Sequence, residues 1–248
     1  MSAVILEGQP YAVTANSATN APASRLLLDE PGLTFRSNGN TATIDITGVG
    51  GGYIIADTIA LVGARLNSND RIRVQAGMSA TNLGFLDFTD SAWTGPTRND
   101  QAICYLPFPF AISAPFFRVT ITTARDFVEV SRLLIGERIE FDGIDQKPTI
   151  TPMSGSTIDD GPGWTSVGPQ RTRNQWKASV GNIKNTDFYG KWSGFLDRTG
   201  KHTGFLFVPN TESIALQQEA ILARHQQDAT IIPLTTDRWQ VDLQLLEV

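Results

Sequence analysis

The stretch "APFFRVTITTARDFVEVSRLLIGE", residues 114–137, decides how the rest of the chain is read. Phe117, Val119 and Ile121 alternate with Arg118, Thr120 and Thr122. Successive side chains on a strand point to opposite faces, so this period of two marks a strand with one covered side. A short charged turn at Ala124, Arg125 and Asp126 leads into a second apolar run. The stretch predicts two β-strands. It contains no nucleophile, metal cluster or phosphate loop.

The same period recurs upstream. "TATIDI" sets Ala42, Ile44 and Ile46 against Thr41, Thr43 and Asp45, and "RIRVQA" sets Ile72, Val74 and Ala76 against Arg71, Arg73 and Gln75. "TIALVGARL" is continuously apolar and suits a strand covered on both sides. Between these runs lie "DEPG", "RSNGN", "GVGGG" and "NSND". Gly and Asn tolerate positive φ and Pro presets a turn, so these clusters end the strands for definite reasons. Short strands with frequent turns predict an antiparallel sandwich of jelly-roll type over residues 1–142.

Residues 143–163 hold a Pro- and Gly-rich stretch with little periodicity, which predicts a linker or crossover. A smaller β domain with one short helix is expected over residues 164–248. In "TDFYGKWSGFLDRTG" Phe188, Trp192, Phe195 and Leu196 form one helical stripe, with Thr186 or Asp187 as the cap and Gly200 as the stop. "RWQVDLQLLEV" closes the chain as a strand with Trp239, Val241, Leu243 and Leu245 on one face. Residues 212–227 favour helix by propensity, yet their place before a closing strand suits a hairpin arm, so both assignments stay open.

Composition narrows the function. The 248 residues are 41% hydrophobic and 18% charged, enough apolar material for a real core. A net charge of −5 argues against nucleic acid as the main partner, since phosphate neutralisation needs a basic surface. The single cysteine, Cys104, excludes an intrachain disulfide, and its apolar setting predicts an inert buried thiol. No apolar run approaches the ~20 residues of a membrane-spanning helix, and the N-terminus lacks the pattern of a signal peptide. Assembly in the cytoplasm is therefore expected.

Catalytic candidates are few. His202 and His225 have no Cys or carboxylate at ligand spacing, so no metal and no cofactor is expected. Asp159 and Asp160 are adjacent and would point apart on an extended chain, which denies them a joint acid–base role. The expectation is a protein that is not an enzyme. Trp93 and Trp164 lie in Gly/Pro-containing stretches, where an exposed aromatic can stack on a sugar or a partner protein. Arg171, Arg173, Lys177 and Lys184 form a locally basic segment suited to a subunit interface.

Two resemblances follow from these segments. "LTFRSNGNTATIDI", "IIADTIALVGARLNSNDRIRVQAG" and "FFRVTITTARDFVEVSRLLIGERI" together resemble the strand order of a galactose-binding-like, discoidin-type jelly roll over about residues 20–142. "DFYGKWSGFLDRTGKHTGFLFVPN" through "RWQVDLQLLEV" is similar to small β domains of long-tailed bacteriophage tail-tip proteins, with Phe205, Phe207, Pro209, Trp239, Val241, Leu243 and Glu247 matching. The pair implies a structural virion component of a tail tip or baseplate, a distal tail protein that forms a homo-oligomeric ring and meets other tail proteins. A carbohydrate-binding module that contacts host surface polysaccharide is the alternative. Under the first reading the C-terminal part makes the ring contacts, and residues 1–142 alone are self-sufficient.

Overall fold

Alternation in sequence becomes alternation in burial. In the computed structural model Ala42, Ile44 and Ile46, then Ile72, Val74 and Ala76, then Phe117, Val119 and Ile121 are all fully buried, while their neighbours face out. The structure describes residues 2–30, 32–67, 69–91, 102–142, 144, 149–154, 158–161, 164–167 and 172–248. It divides into two units, one of Met1–Asp142 with Gly204–Leu222 and one of Gly143–Thr203 with Ala223–Val248.

In the first unit a five-stranded antiparallel sheet runs Tyr11–Ala15, Thr41–Gly48, Phe116–Thr122, Arg71–Gly77 and Leu86–Ser91. A three-stranded sheet of Arg132–Gly136, Ile54–Ala64 and Ala102–Ala114 shares its core, through Ile59, Leu61, Cys104, Leu106, Leu133 and Ile135. This is the expected mainly β, jelly-roll architecture. The apolar strand Ile54–Ala64 is buried almost throughout its second half, as its composition predicts. On the outer face of the larger sheet, Arg118 pairs with Asp45 at 2.6 Å and Arg73 pairs with Asp87.

The first unit also recruits chain from far downstream. Ala3–Glu7 pairs with Arg138–Phe141 on one side and with Phe205–Val208 on the other, Ile5 lying opposite both Ile139 and Phe207. All four residues of Phe205–Val208 are buried. Asp29 ties down the segment entering that strand, accepting from Gly204 N–H at 2.8 Å and pairing with Arg132 at 2.9 Å. A Cβ on Gly204 would meet the Asp29 carboxyl at 2.8 Å, so only glycine fits without displacing it. Residues 1–142 are therefore not the whole of the first unit. Pro and Gly density marks the division at residue 142, whereas a pairing such as Val4 with Val208 leaves no local mark.

In the second unit Arg238–Glu247 lies between Thr172–Lys184 and a side shared by Ala223, Arg224 and His225 with Thr230–Thr235. Thr149–Ser154 pairs with the far side of Thr172–Lys184, and Ile158–Gly161 forms a hairpin with Trp164–Val167. The expected linker thus contains two strands. Pro152 sits within Thr149–Ser154, a tolerated place because an edge strand can spare one ladder donor.

The predicted helix spans Asn185 to Thr199 and is widened over Phe188–Trp192, where Ser193 N–H donates to Phe188 O. That wide turn carries the buried stripe through Phe188, Trp192, Phe195 and Thr199, leaving Leu196 half-buried. Neither Thr186 nor Asp187 caps it; Lys184 stands at the N-cap position without a side-chain bond. Gly200 ends it at φ 44°, a conformation that strains other residues. Residues 212–227 resolve into both open assignments, a short helix Leu216–Glu219 followed by a strand Ile221–His225.

Candidate functional site

The five-stranded sheet has two ends, and its register places the loops. Thr122 lies opposite both Thr41 and Arg71, and Arg71 lies opposite Ser91, so these residues share one end. The loops after Ala15 and before Thr41 meet there. Asn16 fixes the first to the second: its side chain donates to Thr41 O at 2.8 Å and accepts from Thr43 N–H at 2.8 Å. Ala18 N–H donates to Arg36 O at 2.8 Å, Arg36 N–H to Ala21 O at 3.2 Å, and Asn38 N–H to Asn16 O at 3.0 Å. Ser37 completes the clamp, its hydroxyl accepting from Val128 N–H at 2.8 Å.

The clamp frames an open recess of about 500 Å³, lined by the side chains of Thr19, Asn20, Arg25, Thr34, Arg36 and Asn38 together with two alanines. Arg36 is held rigid. Its Nε donates to Glu129 Oε1 at 3.0 Å, and its guanidinium lies 4.0 Å over the Phe127 ring. Glu129 is nearly fully buried and also pairs with Arg65 at 3.2 Å, so one carboxylate serves two guanidinium groups. Arg25, on the short turn Ala23–Leu27, is half-buried and donates from one Nη to Thr34 O at 3.0 Å. Thr19, Asn20 and Asn38 are exposed at the rim. The lining offers guanidinium donors, amides and hydroxyls that both donate and accept, and no carboxylate. Such a set can hold a polyhydroxylated ligand by many hydrogen bonds.

The residues singled out from sequence fare differently. Trp93 and Arg171 lie outside the described residues. Trp164 forms part of a strand, opposite Gly161, rather than a loop; its side chain lies outside what the structure describes. Asp159 and Asp160 are successive residues of a strand, opposite Ser166 and Thr165. Arg173, Lys177 and Lys184 lie on Thr172–Lys184, where a bulge between Val180 and Ile183 keeps Lys184 on the same outward face as Lys177. That face is mixed rather than basic: Ser179 donates to Asp242, and Lys177 sits opposite Gln244. Cys104 is fully buried, and desolvation drives its thiol pKa far up, as its inert reading requires.

His225 is buried against Phe195, with ring centroids 5.7 Å apart, and desolvation lowers its pKa while Asp228 opposes the shift. It borders a small cavity of about 150 Å³ with Asp197 and Asp228. His202 is exposed. Among the described residues, no cluster of three His, Cys, Asp or Glu has a spacing that could hold a metal ion. No helix among the described residues is long and apolar enough to cross a membrane.

The sequence presents "RSNGN" as a turn and gives Arg25 no distinguishing context. The one available signal was an arginine at the head of an Asn- and Gly-rich loop, and its partners lie up to ninety-three residues away.

No family model and no curated protein matches the chain. Among solved structures it is similar to the CBM32 of AlyQ in complex with 4,5-unsaturated mannuronic acid, at 15% identity and TM-score 0.38, covering 53% of this chain and 96% of that one. It is similar also to the family 32 CBM from C. perfringens NanJ in complex with galactose, at 13% identity and TM-score 0.38, covering 55% and 99%. A third is chitosan-binding module 1 from a chitosanase/glucanase of Paenibacillus sp. IK-5, at 18% identity and TM-score 0.36, covering 50% and 92%.

Proposed function

We propose that the chain is a non-catalytic binding protein whose jelly-roll unit takes a carbohydrate in the recess between residues 18–21 and 34–38. The observation that carries this is the recess itself, about 500 Å³ and lined by two arginines, two asparagines and two threonines. Its size falls in the range of sites for small ligands. Its lining suits a ring of hydroxyl groups, each of which donates and accepts. The clamp through Asn16 and Ser37 holds these groups in place before a ligand arrives, which reduces the ordering cost of binding. The test is a panel of immobilised neutral and acidic glycans probed with the full chain. Binding that weakens in Asn38→Ala and Thr19→Ala, both exposed and replaceable without harm to the core, supports the reading. No glycan bound, or binding indifferent to both changes, sinks it.

A second reading rests on a different surface. The strand Thr230–Thr235 is exposed along its whole length, with Ile231, Ile232 and Leu234 at 44%, 36% and 47%. Apolar side chains left in water along one strand suit contact with another subunit. This favours an assembling role, and a subunit ring in a bacteriophage tail tip or baseplate is the assembly the sequence resemblance implies. Repeated copies of one heterologous contact close into such a ring. Native mass spectrometry is expected to find a discrete oligomer, and purified virions of the source phage should contain the chain. A monomer at every concentration, together with absence from virions, removes this reading.

A further inference from the structure

We infer that the recess selects a sugar bearing a carboxylate, with Arg25 as the residue that reads the charge. The inference rests on the carbohydrate reading above and adds the class of sugar. It comes from the balance of charge around the recess. The chain as a whole carries a net −5, yet two cationic and no acidic side chains line this surface.

The two arginines are not equivalent. Arg36 spends its Nε and one Nη on Glu129, and the same carboxylate also receives Arg65. Two guanidinium groups on one carboxylate leave one positive charge in excess around Arg36, which lines the recess. Arg25 adds another. It donates to the carbonyl of Thr34 and has no carboxylate partner among the described residues. A guanidinium has five N–H donors in a fixed fork, so most of those on Arg25 remain for a ligand. A carboxylate matches that fork with two parallel bonds, and charge-assisted bonds of this kind are about twice as strong as neutral ones.

Position supports the division of labour. Arg25 is half-buried on the turn Ala23–Leu27, where partial desolvation strengthens its attraction for an anion. Thr19, Asn20 and Asn38 stand at the rim, placed to take the hydroxyls of the same sugar. A neutral sugar would leave the Arg25 donors to water. A free inorganic anion would satisfy Arg25 but leave the rim amides unused. The occupant that uses both sets is a uronic-acid type of saccharide.

The experiment is calorimetric titration of the full chain with an oligogalacturonate and with a neutral galactose oligomer of the same length, at low and at high salt. The wild-type chain should bind the acidic oligomer about tenfold more tightly at low salt, one charge-assisted contact in value, and that margin should shrink with salt. Arg25→Gln should abolish the margin, bringing the acidic oligomer to the affinity of the neutral one, with the cooperative melt retained. Equal or better binding of the neutral oligomer, or an Arg25→Gln chain that keeps its acidic preference, overturns the inference and leaves the carbohydrate reading standing. Binding of neither oligomer overturns the inference and counts against the carbohydrate reading with it. Competition by inorganic sulfate as effective as by the oligogalacturonate overturns the inference in favour of a simple anion site.

Discussion

The two units differ in how whole strands are covered. In the jelly-roll unit, strands that read as continuously apolar are closed in by their own neighbours: Phe205–Val208 is buried at every position. In the second unit Thr230–Thr235 is exposed at every position, and Ile150 and Met153 on Thr149–Ser154 are exposed as well. The first unit has a mostly aliphatic core, with Ile, Leu and Val outnumbering Phe35, Phe108 and Phe117 between its two sheets. The second is built on aromatics, with Phe188 stacked on Trp239 at 4.6 Å and Trp192 edge-on to Phe195 at 6.2 Å, beside a buried histidine. The first unit exposes single apolar side chains, such as Ile55, Phe85 and Phe110, and offers a polar recess. The other leaves apolar surface and a titratable group where assembly and pH can act.

The comparison breaks most visibly if the first unit is cut at the chain position where the sequence changes character. A fragment of residues 1–142 lacks Phe205–Val208, so Ala3–Glu7 loses the ladder partner along one edge and exposes buried apolar side chains. An unpaired apolar edge invites aggregation. The fragment is expected to be insoluble or to lack a cooperative melt, contrary to the self-sufficiency that the sequence suggests. A soluble monomer with a sharp transition by light scattering and circular dichroism would show that the pairing is dispensable. Within the intact chain, Phe117→Ala should cost about 3–5 kcal/mol, because a fully buried ring between two sheets leaves a cavity that neither sheet can close. Denaturant titration measures it, and a loss below about 1 kcal/mol would mean the core repacks.

Legibility follows the range of the interactions. The buried faces of residues 41–46, 71–76 and 117–122 were readable because period two is a local property that survives folding. The closing strand was readable for the same reason: Val241, Leu243 and Leu245 are buried as alternation requires. The helix was located and three of its four stripe residues, Phe188, Trp192 and Phe195, are buried, with Thr199 rather than Leu196 as the fourth. What could not be read is what depends on distant partners. Nothing in "GFLFVPN" announces Ala3–Glu7 as its neighbour, and nothing in "RSNGN" announces Glu129 or Arg25. The recess is assembled from three separate loops and turns, each ordinary in isolation. The exposure of Thr230–Thr235 was equally hidden, because nothing local in "TIIPLT" tells whether a neighbour covers it.

A smaller effect separates the units by pH. His225 is buried and its pKa lies below the ordinary 6.5, chiefly because desolvation disfavours the imidazolium. The unfolded chain then binds the proton more readily than the folded one. The contribution to stability is therefore present in full above about pH 6.5 and is lost as pH falls through the lower folded pKa. Four of the five tryptophans, Trp164, Trp176, Trp192 and Trp239, belong to the second unit, so tryptophan fluorescence reports mainly on it. Melting followed by fluorescence should shift down between about pH 8 and about pH 5, and His225→Gln should flatten that dependence. An unchanged slope in the variant would assign the pH response to other groups.

The smallest expected change in stability carries the most information about assembly. Ile231→Thr and Ile232→Thr replace exposed apolar side chains with polar ones that keep the branched Cβ favoured in strands. Because both positions already face water, the melting transition should move by no more than about 0.5 kcal/mol in equivalent stability. If the strand Thr230–Thr235 is a contact between copies, self-association must nevertheless fall, since the surface removed from water in the oligomer has been made polar. Light scattering across a concentration series reads that separation directly. Weakened association with unchanged stability places the contact on this arm, and the jelly-roll recess should keep its ligand affinity in the same variants. Unchanged association would mean the exposed strand is tolerated as an edge, blunted by Pro233, whose missing N–H removes one donor from further strand pairing.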